Sequence, residues 1–134
     1  MSIEEAQAEV GYPIAVPNNL GNPDDVYLQE TQLPMTILVW YETDGSRLLL
    51  YIIDSESIYF KFTPEEPEVV EVQGRRGYWF DSPHLTEFVP SSSSLMLSVH
   101  VDGNVLVWDR NGITYRLEGD MTQAVALEIA ESMP

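Results

Sequence analysis

The chain has no cysteine, few basic residues and no long apolar run, and each absence excludes a class of chemistry. Without cysteine there is no disulfide, no thiol nucleophile and no thiolate metal ligand. Six basic residues stand against 22 acidic ones, giving a net charge of −16. A surface of that sign repels phosphate backbones and anionic lipids, so we expect no nucleic-acid partner. No run of about 18 apolar residues occurs, so we expect no direct membrane insertion of this segment.

The remaining composition is that of one globular domain spanning residues 1–134. Hydrophobic residues make up 44% of the chain, which is enough for a core that buries about two-thirds of the unfolded surface. The acidic, polar beginning does not resemble a signal peptide. If the protein is exported or anchored, we therefore expect the responsible segment to lie upstream of this sequence.

Helix signals stand at both ends. Ser2 and Glu5 form an S-x-x-E capping box, and Gly11 is a stop signal. Thr122 is placed to cap a second helix. The apolar residues predicted to face a sheet recur at helical spacing: Ile3, Ala6 and Val10 in the first helix, and Met121, Val125, Ile129 and Met133 in the second.

Alternating segments and turn dipeptides predict an antiparallel sheet between the helices. Two-residue loops at Asp102-Gly103 and Asn111-Gly112 would join residues 95–119 into a three-stranded meander. On one face, Leu97 would then lie opposite Trp108 and Val99 opposite Leu106, while Trp108 and Leu106 would face Tyr115 and Leu117. The other face is predicted to be mostly solvated, and includes Met96, Ser98, His100, Val107, Asp109, Thr114 and Arg116.

A second hairpin is predicted around Asp44-Gly45. A two-residue loop there would pair Glu42 with Arg47. The resulting register puts Ile37, Val39, Tyr41, Leu48, Leu50 and Ile52 on one face, and Leu38, Trp40, Leu49, Tyr51 and Ile53 on the other. Because both faces are apolar, the hairpin is either covered on both sides or has one face that awaits a partner.

Catalytic and metal-binding patterns are sparse. His84 and His100 are the only histidines, and both are predicted to be exposed. A hydrolase built from His100, Asp102 and the serines at 91–94 is the least favoured function, because no strand-to-helix elbow surrounds those serines. No carboxylate pair matches a calcium loop. We therefore predict no catalytic residue, no metal and no cofactor.

One local anomaly is the segment Gly74-Arg-Arg-Gly-Tyr-Trp-Phe80. Two of the five arginines lie side by side next to three aromatic residues. Arginine, tyrosine and tryptophan are enriched in binding hot spots, so Arg75, Arg76, Tyr78 and Trp79 are the candidate binding residues. The alternative is a hairpin turn around residues 74–77 with solvated arginines and with aromatic side chains that alternate into the core.

Several segments together carry a family resemblance: the Ser2-Ile-Glu-Glu-Ala helix start, Gly11-Tyr-Pro-Ile-Ala-Val-Pro17, residues 70–79, Val107-Trp-Asp-Arg-Asn-Gly-Ile-Thr-Tyr115 and Ile129-Ala-Glu-Ser-Met133. The chain resembles a family of domains of unknown function found at the extracytoplasmic ends of bacterial membrane proteins, many of them anti-sigma-factor-like. It is distantly similar to lipoprotein-carrier half-barrels. The resemblance implies a curved antiparallel sheet with helices packed on one face, and a sensing or interaction role. It implies no catalytic residues.

These observations predict an α+β domain with a curved, half-barrel-like, mainly antiparallel sheet of about seven to nine strands and a helix at each end, packed on one face. The leading functional hypothesis is a non-enzymatic, extracytoplasmic sensor or protein-interaction module, membrane-tethered in the full-length protein. The alternative is a carrier that binds an apolar ligand or lipid moiety in the concave face. The partner is accordingly another protein or an apolar ligand, and the oligomeric state stays open.

Overall fold

A computed structural model describes residues 1–29, 35–54, 58–63, 68–81, 84–90, 97–101 and 103–134. For residues 58–63, 84–90 and 97–101 the description is confined to the backbone. The helices are α1 (Ile3–Val10) and α2 (Gln123–Glu131). The strands are β1 (Asp25–Gln29), β2 (Met35–Tyr41), β3 (Arg47–Asp54), β4 (Ile58–Thr63), β5 (Glu68–Val72), β6 (Arg75–Phe80), β7 (His84–Pro90), β8 (Leu97–Val101), β9 (Asn104–Arg110) and β10 (Ile113–Gly119).

The strands form two antiparallel sheets. Seven of them lie in the order β1-β2-β3-β10-β9-β6-β5, and β4, β7 and β8 form a second sheet in the order β4-β7-β8. The larger sheet is open, with β1 and β5 at its ends. The predicted α+β class, with a curved antiparallel sheet and a helix near each end of the chain, is confirmed.

Both helices pack on one face of the larger sheet. Ala6 of α1 and Ala126 and Ile129 of α2 belong to the same buried cluster as the sheet residues Leu38, Leu50, Ile52, Leu106, Trp108, Tyr115 and Leu117. The predicted caps are confirmed: Ser2 and Glu5 form a reciprocal capping box, Gly11 ends α1 in the left-handed conformation, and the Thr122 hydroxyl accepts from the Val125 backbone N–H. The prediction that Val125 faces the sheet is wrong, because Val125 is exposed and Ala126 and Ala130 are buried in its place.

The hairpin formed by β9 and β10 has the predicted register. Trp108 lies opposite Tyr115 and Leu106 lies opposite Leu117. Asn111 and Gly112 both have positive φ, as a type I′ turn requires. The indole and phenol rings stack with centroids 5.5 Å apart, so turn chemistry and side-chain alternation agree in this part of the sheet.

The third strand of the predicted meander is wrong. The neighbours of β9 are β10 and β6, whereas β8 pairs with β7 in the smaller sheet. Gly77 and Trp79 of β6 therefore occupy the places opposite Trp108 and Leu106 that were predicted for Leu97 and Val99. A turn dipeptide signals a local reversal of the chain and does not decide which strands pair. The strand β7, which begins at His84, is not indicated by either of the predicted hairpins.

The central hairpin has a register one residue away from the prediction. Arg47 lies opposite Tyr41, not Glu42. The Glu42 backbone N–H donates to the Ser46 carbonyl at 2.9 Å, and Gly45 has a φ of +88°. This is a three-residue loop with a bulge at glycine, so one extra residue enters the turn. The change of register puts Leu38 and Trp40 on the same face of the sheet as Leu48, Leu50 and Ile52. The prediction had put the two groups on different faces.

The sheet face opposite the helices is largely buried as well, which corrects the prediction of a mostly solvated side. Phe80, Val105 and Val107 form a second buried cluster there. Thr114 and Arg116, on the same face of β10, are also buried. The larger sheet therefore buries apolar residues on both faces, as a central sheet does.

Candidate interaction surface

The candidate binding residues lie on the β5–β6 hairpin, residues 68–80. We call it the edge hairpin, because β5 is the last strand of the larger sheet. Its turn is Gln73-Gly74, with φ values of 50° and 78°, so the predicted turn over residues 74–77 is wrong. Gly77 lies inside β6, where a Cβ atom would come within 3.0 Å of Val72 Cγ2 and 3.2 Å of the Val107 carbonyl. The glycine marks a close approach of strands, not a turn.

Strand alternation separates the four candidate residues. Arg76 and Tyr78 share one face of β6, and Arg75 and Trp79 share the other. Trp79 is buried in the core beneath the helices, so it is unavailable to a partner in this fold. Arg75 and Arg76 are exposed, and Tyr78 is half-buried against the Phe80–Val105–Val107 cluster. Three of the four candidates thus lie at the surface, on two faces of one strand.

Val69 is the residue of this surface that sequence reasoning missed. It lies opposite Tyr78 and is 60% exposed. Glu71, the next residue on that face, lies opposite Arg76. The shared face therefore holds an exposed valine, a half-buried tyrosine and an arginine on adjacent strands. The alternation of residues 69–72 carried this signal, but the correct turn position was needed to align it with β6.

The two arginines are uncompensated. In the part of the chain that the structure describes, no hydrogen bond or ion pair holds the guanidinium of Arg75 or Arg76. Glu71 lies opposite Arg76 in the register, yet the two charges form no ion pair. Arg75 and Arg76 thus present one unpaired guanidinium group on each face of β6, and each provides donors for a carboxylate.

The edge hairpin is fastened to helix α2. The Gln73 backbone N–H donates to Glu131 Oε1 at 2.7 Å, and Gln73 Nε2 donates to the Met133 carbonyl at 3.0 Å. At the other end of β5, Gln123 Nε2 donates to Glu68 Oε2. Both ends of β5 are therefore hydrogen-bonded to α2. These bonds hold the surface of the edge hairpin in place before a partner binds, which reduces the entropy lost on binding.

Three clefts are lined by described residues. The one at the edge hairpin has a volume of about 430 Å³ and is lined by Val69, Val70, Glu71, Gly74, Arg75 and Arg76. A second, of about 280 Å³, lies between the β2–β3 loop and α2 and contains Glu42, Asp44, Arg47 and Asp120. A third, beside the start of α1, contains Glu4 and Asp24. Each of the three carries charged groups.

A second exposed aromatic patch lies at the opposite end of the sheet. Tyr27 and Tyr41 are 53% and 52% exposed. The Tyr41 hydroxyl donates to Asp25 Oδ2 at 2.8 Å, and this hydrogen bond raises the pKa of Tyr41. Sequence reasoning placed Tyr41 in the wrong register, so it did not find this patch.

One buried cation lies on the sheet face opposite the helices. Arg116 is 2% exposed, and its guanidinium carbon is 5.7 Å from the Tyr51 ring centroid. Its Nη2 atom is 3.7 Å from Glu118 Oε2. Burial lowers the pKa of Arg116, and Glu118 and Tyr51 oppose that effect. This charge is enclosed in the fold, in contrast to Arg75 and Arg76.

The described residues contain no group of three or more histidine, aspartate or glutamate side chains placed to hold a metal ion. The residues of the hydrolase hypothesis, His100, Asp102 and the serines at 91–94, and the side chain of His84 lie outside the part of the chain whose side chains the structure describes. Within the same described part, neither helix has the length and apolarity that a membrane crossing needs.

The fold and its surface define a class: an α+β domain with an open antiparallel sheet, helices on one face and an exposed hairpin at the sheet edge. A family model described as a domain of unknown function, DUF4367, matches residues 21–133, and the chain belongs to that family. No curated protein and no solved structure shows significant similarity to it.

Proposed function

We propose that this chain is a non-enzymatic protein-interaction module, of the sensing or regulatory kind, that binds its partner through the edge hairpin. The observation that carries the proposal is the combination of an exposed Val69, a half-buried Tyr78 and the exposed Arg75 and Arg76 at the open end of the sheet. Tyrosine and arginine are the residue types that contribute most energy in interfaces. The bonds from Gln73 to α2 reduce the ordering cost of binding.

The alternative function, a carrier of an apolar ligand, requires a pocket lined by apolar side chains. Each of the three clefts described above contains carboxylates or an arginine, and the one between the β2–β3 loop and α2 is also lined by Leu48, Met121 and Val125. None of these three clefts is therefore wholly apolar, and the carrier stays the alternative.

Photocrosslinking in the cells that make the protein tests the proposal. A p-benzoylphenylalanine in place of Val69 is expected to give a discrete adduct with another protein, and the double substitution Arg75→Glu, Arg76→Glu should abolish that adduct. The same photoreactive residue in place of Val125, which is 44% exposed on α2, is the matched control and should give none. No adduct at position 69, or the same adducts at both positions, would contradict the proposal.

We also propose an extracytoplasmic location, as in membrane-tethered bacterial regulators of the kind that the chain resembles. An alkaline phosphatase fusion to the full-length protein is expected to be active, because that enzyme folds only outside the reducing cytoplasm. An inactive fusion that is produced in full would place the domain inside the cell and contradict this part.

A further inference from the structure

We infer that the edge hairpin recognises an extended peptide segment that adds as a strand beside β5 and carries carboxylates next to Arg75 and Arg76. The inference rests on the proposed function and specifies the partner of the same surface. It combines three independent features of the hairpin: an open strand edge, an exposed apolar contact and an uncompensated pair of positive charges.

The strand edge supplies the backbone component. Among the strands that the structure describes, β5 pairs with β6 alone, so its other edge presents backbone N–H and C=O groups. An added strand pairs with such groups, and this is a general way in which sheets bind peptides. Because β5 has five residues, the complementary segment is about five residues long.

The exposed side chains supply the apolar component. Val69 and Tyr78 lie opposite each other on one face of the hairpin. Every second side chain of an added strand would lie on this face, and one of them would be next to Val69. A β-branched residue of the partner fits there, because cross-strand neighbours of this type stabilise sheets.

The charges decide which partner fits. Arg75 and Arg76 are two of the six basic residues in a chain with a net charge of −16. Carboxylates bind guanidinium groups through paired, charge-assisted hydrogen bonds. Glu68 and Glu71 of β5 repel carboxylates as the rest of the acidic surface does, so favourable docking places the carboxylates at the turn end of the hairpin, where Arg75 and Arg76 lie. A second copy of the chain is disfavoured as the occupant, since it would bring another sixteen negative charges.

The test uses two synthetic peptides and the whole chain. The probe is acetyl-Ser-Thr-Val-Thr-Val-Thr-Asp-Asp-amide, and its matched control has Asn-Asn in place of Asp-Asp. Calorimetric titration at low salt is expected to give at least about tenfold tighter binding of the aspartate peptide. Amide resonances of residues 69–72 are expected to shift on binding. The preference should shrink as sodium chloride is raised from 20 to 300 mM, because salt screens exposed charges.

Protein variants assign the effect to the hairpin. Arg75→Gln combined with Arg76→Gln should remove the preference for the aspartate peptide. Arg47→Gln neutralises an exposed arginine on β3, which is separated from β6 by β10 and β9, and should preserve the preference. Equal affinity for the two peptides, or shifts confined to residues outside the hairpin, would overturn the inference. If crosslinking at position 69 succeeds while both peptides fail to bind, the interaction module stands and this partner class is wrong.

Discussion

Trp108 lies at the centre of the strand pairings that form the core of the larger sheet. It is 2% exposed, stacks on Tyr115 across the β9–β10 hairpin and lies opposite Gly77 of β6. Its contacts thus join three neighbouring strands beneath the helices. Sequence reasoning found the Tyr115 contact from the Asn111-Gly112 turn, and it missed the contact with β6.

Trp108→Ala is expected to lower the free energy of unfolding by about 3–5 kcal/mol, because a large aromatic side chain leaves a cavity in a packed core. Urea titration followed by circular dichroism measures the loss. Tyr27→Ala removes an exposed ring on β1 and serves as the control, with an expected change within about 0.5 kcal/mol. A loss below 1 kcal/mol for Trp108→Ala would contradict the packing described here.

Gly77→Ala is expected to destabilise the fold by about 1–3 kcal/mol, because the added methyl group would press on Val72 Cγ2 and the Val107 carbonyl. The backbone carbonyl cannot rotate away as a side chain can. Thermal unfolding measures the effect, and Val69→Ala in the paired strand is the exposed control. A variant as stable as the parent protein would show that β6 and β9 are farther apart than described.

At the scale of elements, the backbone conformation of the turns depends on the residues within them. Gln73-Gly74 and Asn111-Gly112 both adopt positive φ at two successive residues, and both join strands by two-residue loops. The Asp44-Gly45 turn contains one residue more. There the Asp44 carboxylate accepts from the Ser46 backbone N–H and hydroxyl, which lowers the pKa of Asp44. A dipeptide signal therefore predicts a reversal but leaves the loop length open.

The link between the edge hairpin and α2 gives a prediction at this scale. Glu131→Ala removes the acceptor of the Gln73 backbone N–H, so that amide should exchange with solvent about two- to tenfold faster. Global stability should change little, because a carboxylate near a helix C-terminus is itself unfavourable. Hydrogen exchange followed by NMR distinguishes the two effects. Glu131→Gln retains an acceptor oxygen and should restore slow exchange of the Gln73 amide. Equal exchange rates of this amide in the parent protein and in both variants would contradict the hydrogen bond between Gln73 and Glu131.

At the scale of the whole molecule, the phenols predict the response to alkaline pH. Burial raises the pKa of Tyr12 to about 12, with Asp54 and Tyr115 adding to the effect, and burial raises the pKa of Tyr51 and Tyr115 as well. A raised folded-state pKa contributes stability that is complete below the unfolded value near 10. That stability is lost as the pH rises toward the folded value.

The melting temperature is therefore expected to fall between pH 10 and pH 12. The free energy of unfolding falls over the same range, and Tyr12→Phe should reduce that loss by on the order of 1 kcal/mol. This value is discounted because Tyr12 is only partly buried. Thermal scans across this range, with phenolate absorbance at 295 nm, provide the measurement. Tyr27→Phe is the control, since the Tyr27 side chain is exposed. An identical alkaline profile for Tyr12→Phe and the parent protein would exclude Tyr12 as a source of the effect.

Local chemistry was sufficient to predict the caps of both helices, the Asn111-Gly112 turn and the α+β class. Each of these depends on residues within a few positions of one another. The candidate surface was predicted in part: Arg75, Arg76 and Tyr78 are at the surface, but Trp79 is in the core and Val69 was missed. Trp79 cannot share a face with Tyr78, because consecutive residues of a strand point to opposite faces, whereas Val69 was missed because the misplaced turn gives β5 and β6 the wrong register.

By itself the sequence determined the net charge, the absence of thiol chemistry, the helix ends and the alternation of the strands. Only the tertiary structure decided that β6 lies beside β9, that β8 belongs to the smaller sheet and that β5 ends the larger one. It also decided that Val107, Thr114 and Arg116 are buried. Strand pairing depends on packing against residues far away in the chain, which local pattern does not encode. The partner surface proposed here follows from that pairing, since it exists only because β5 has an open edge.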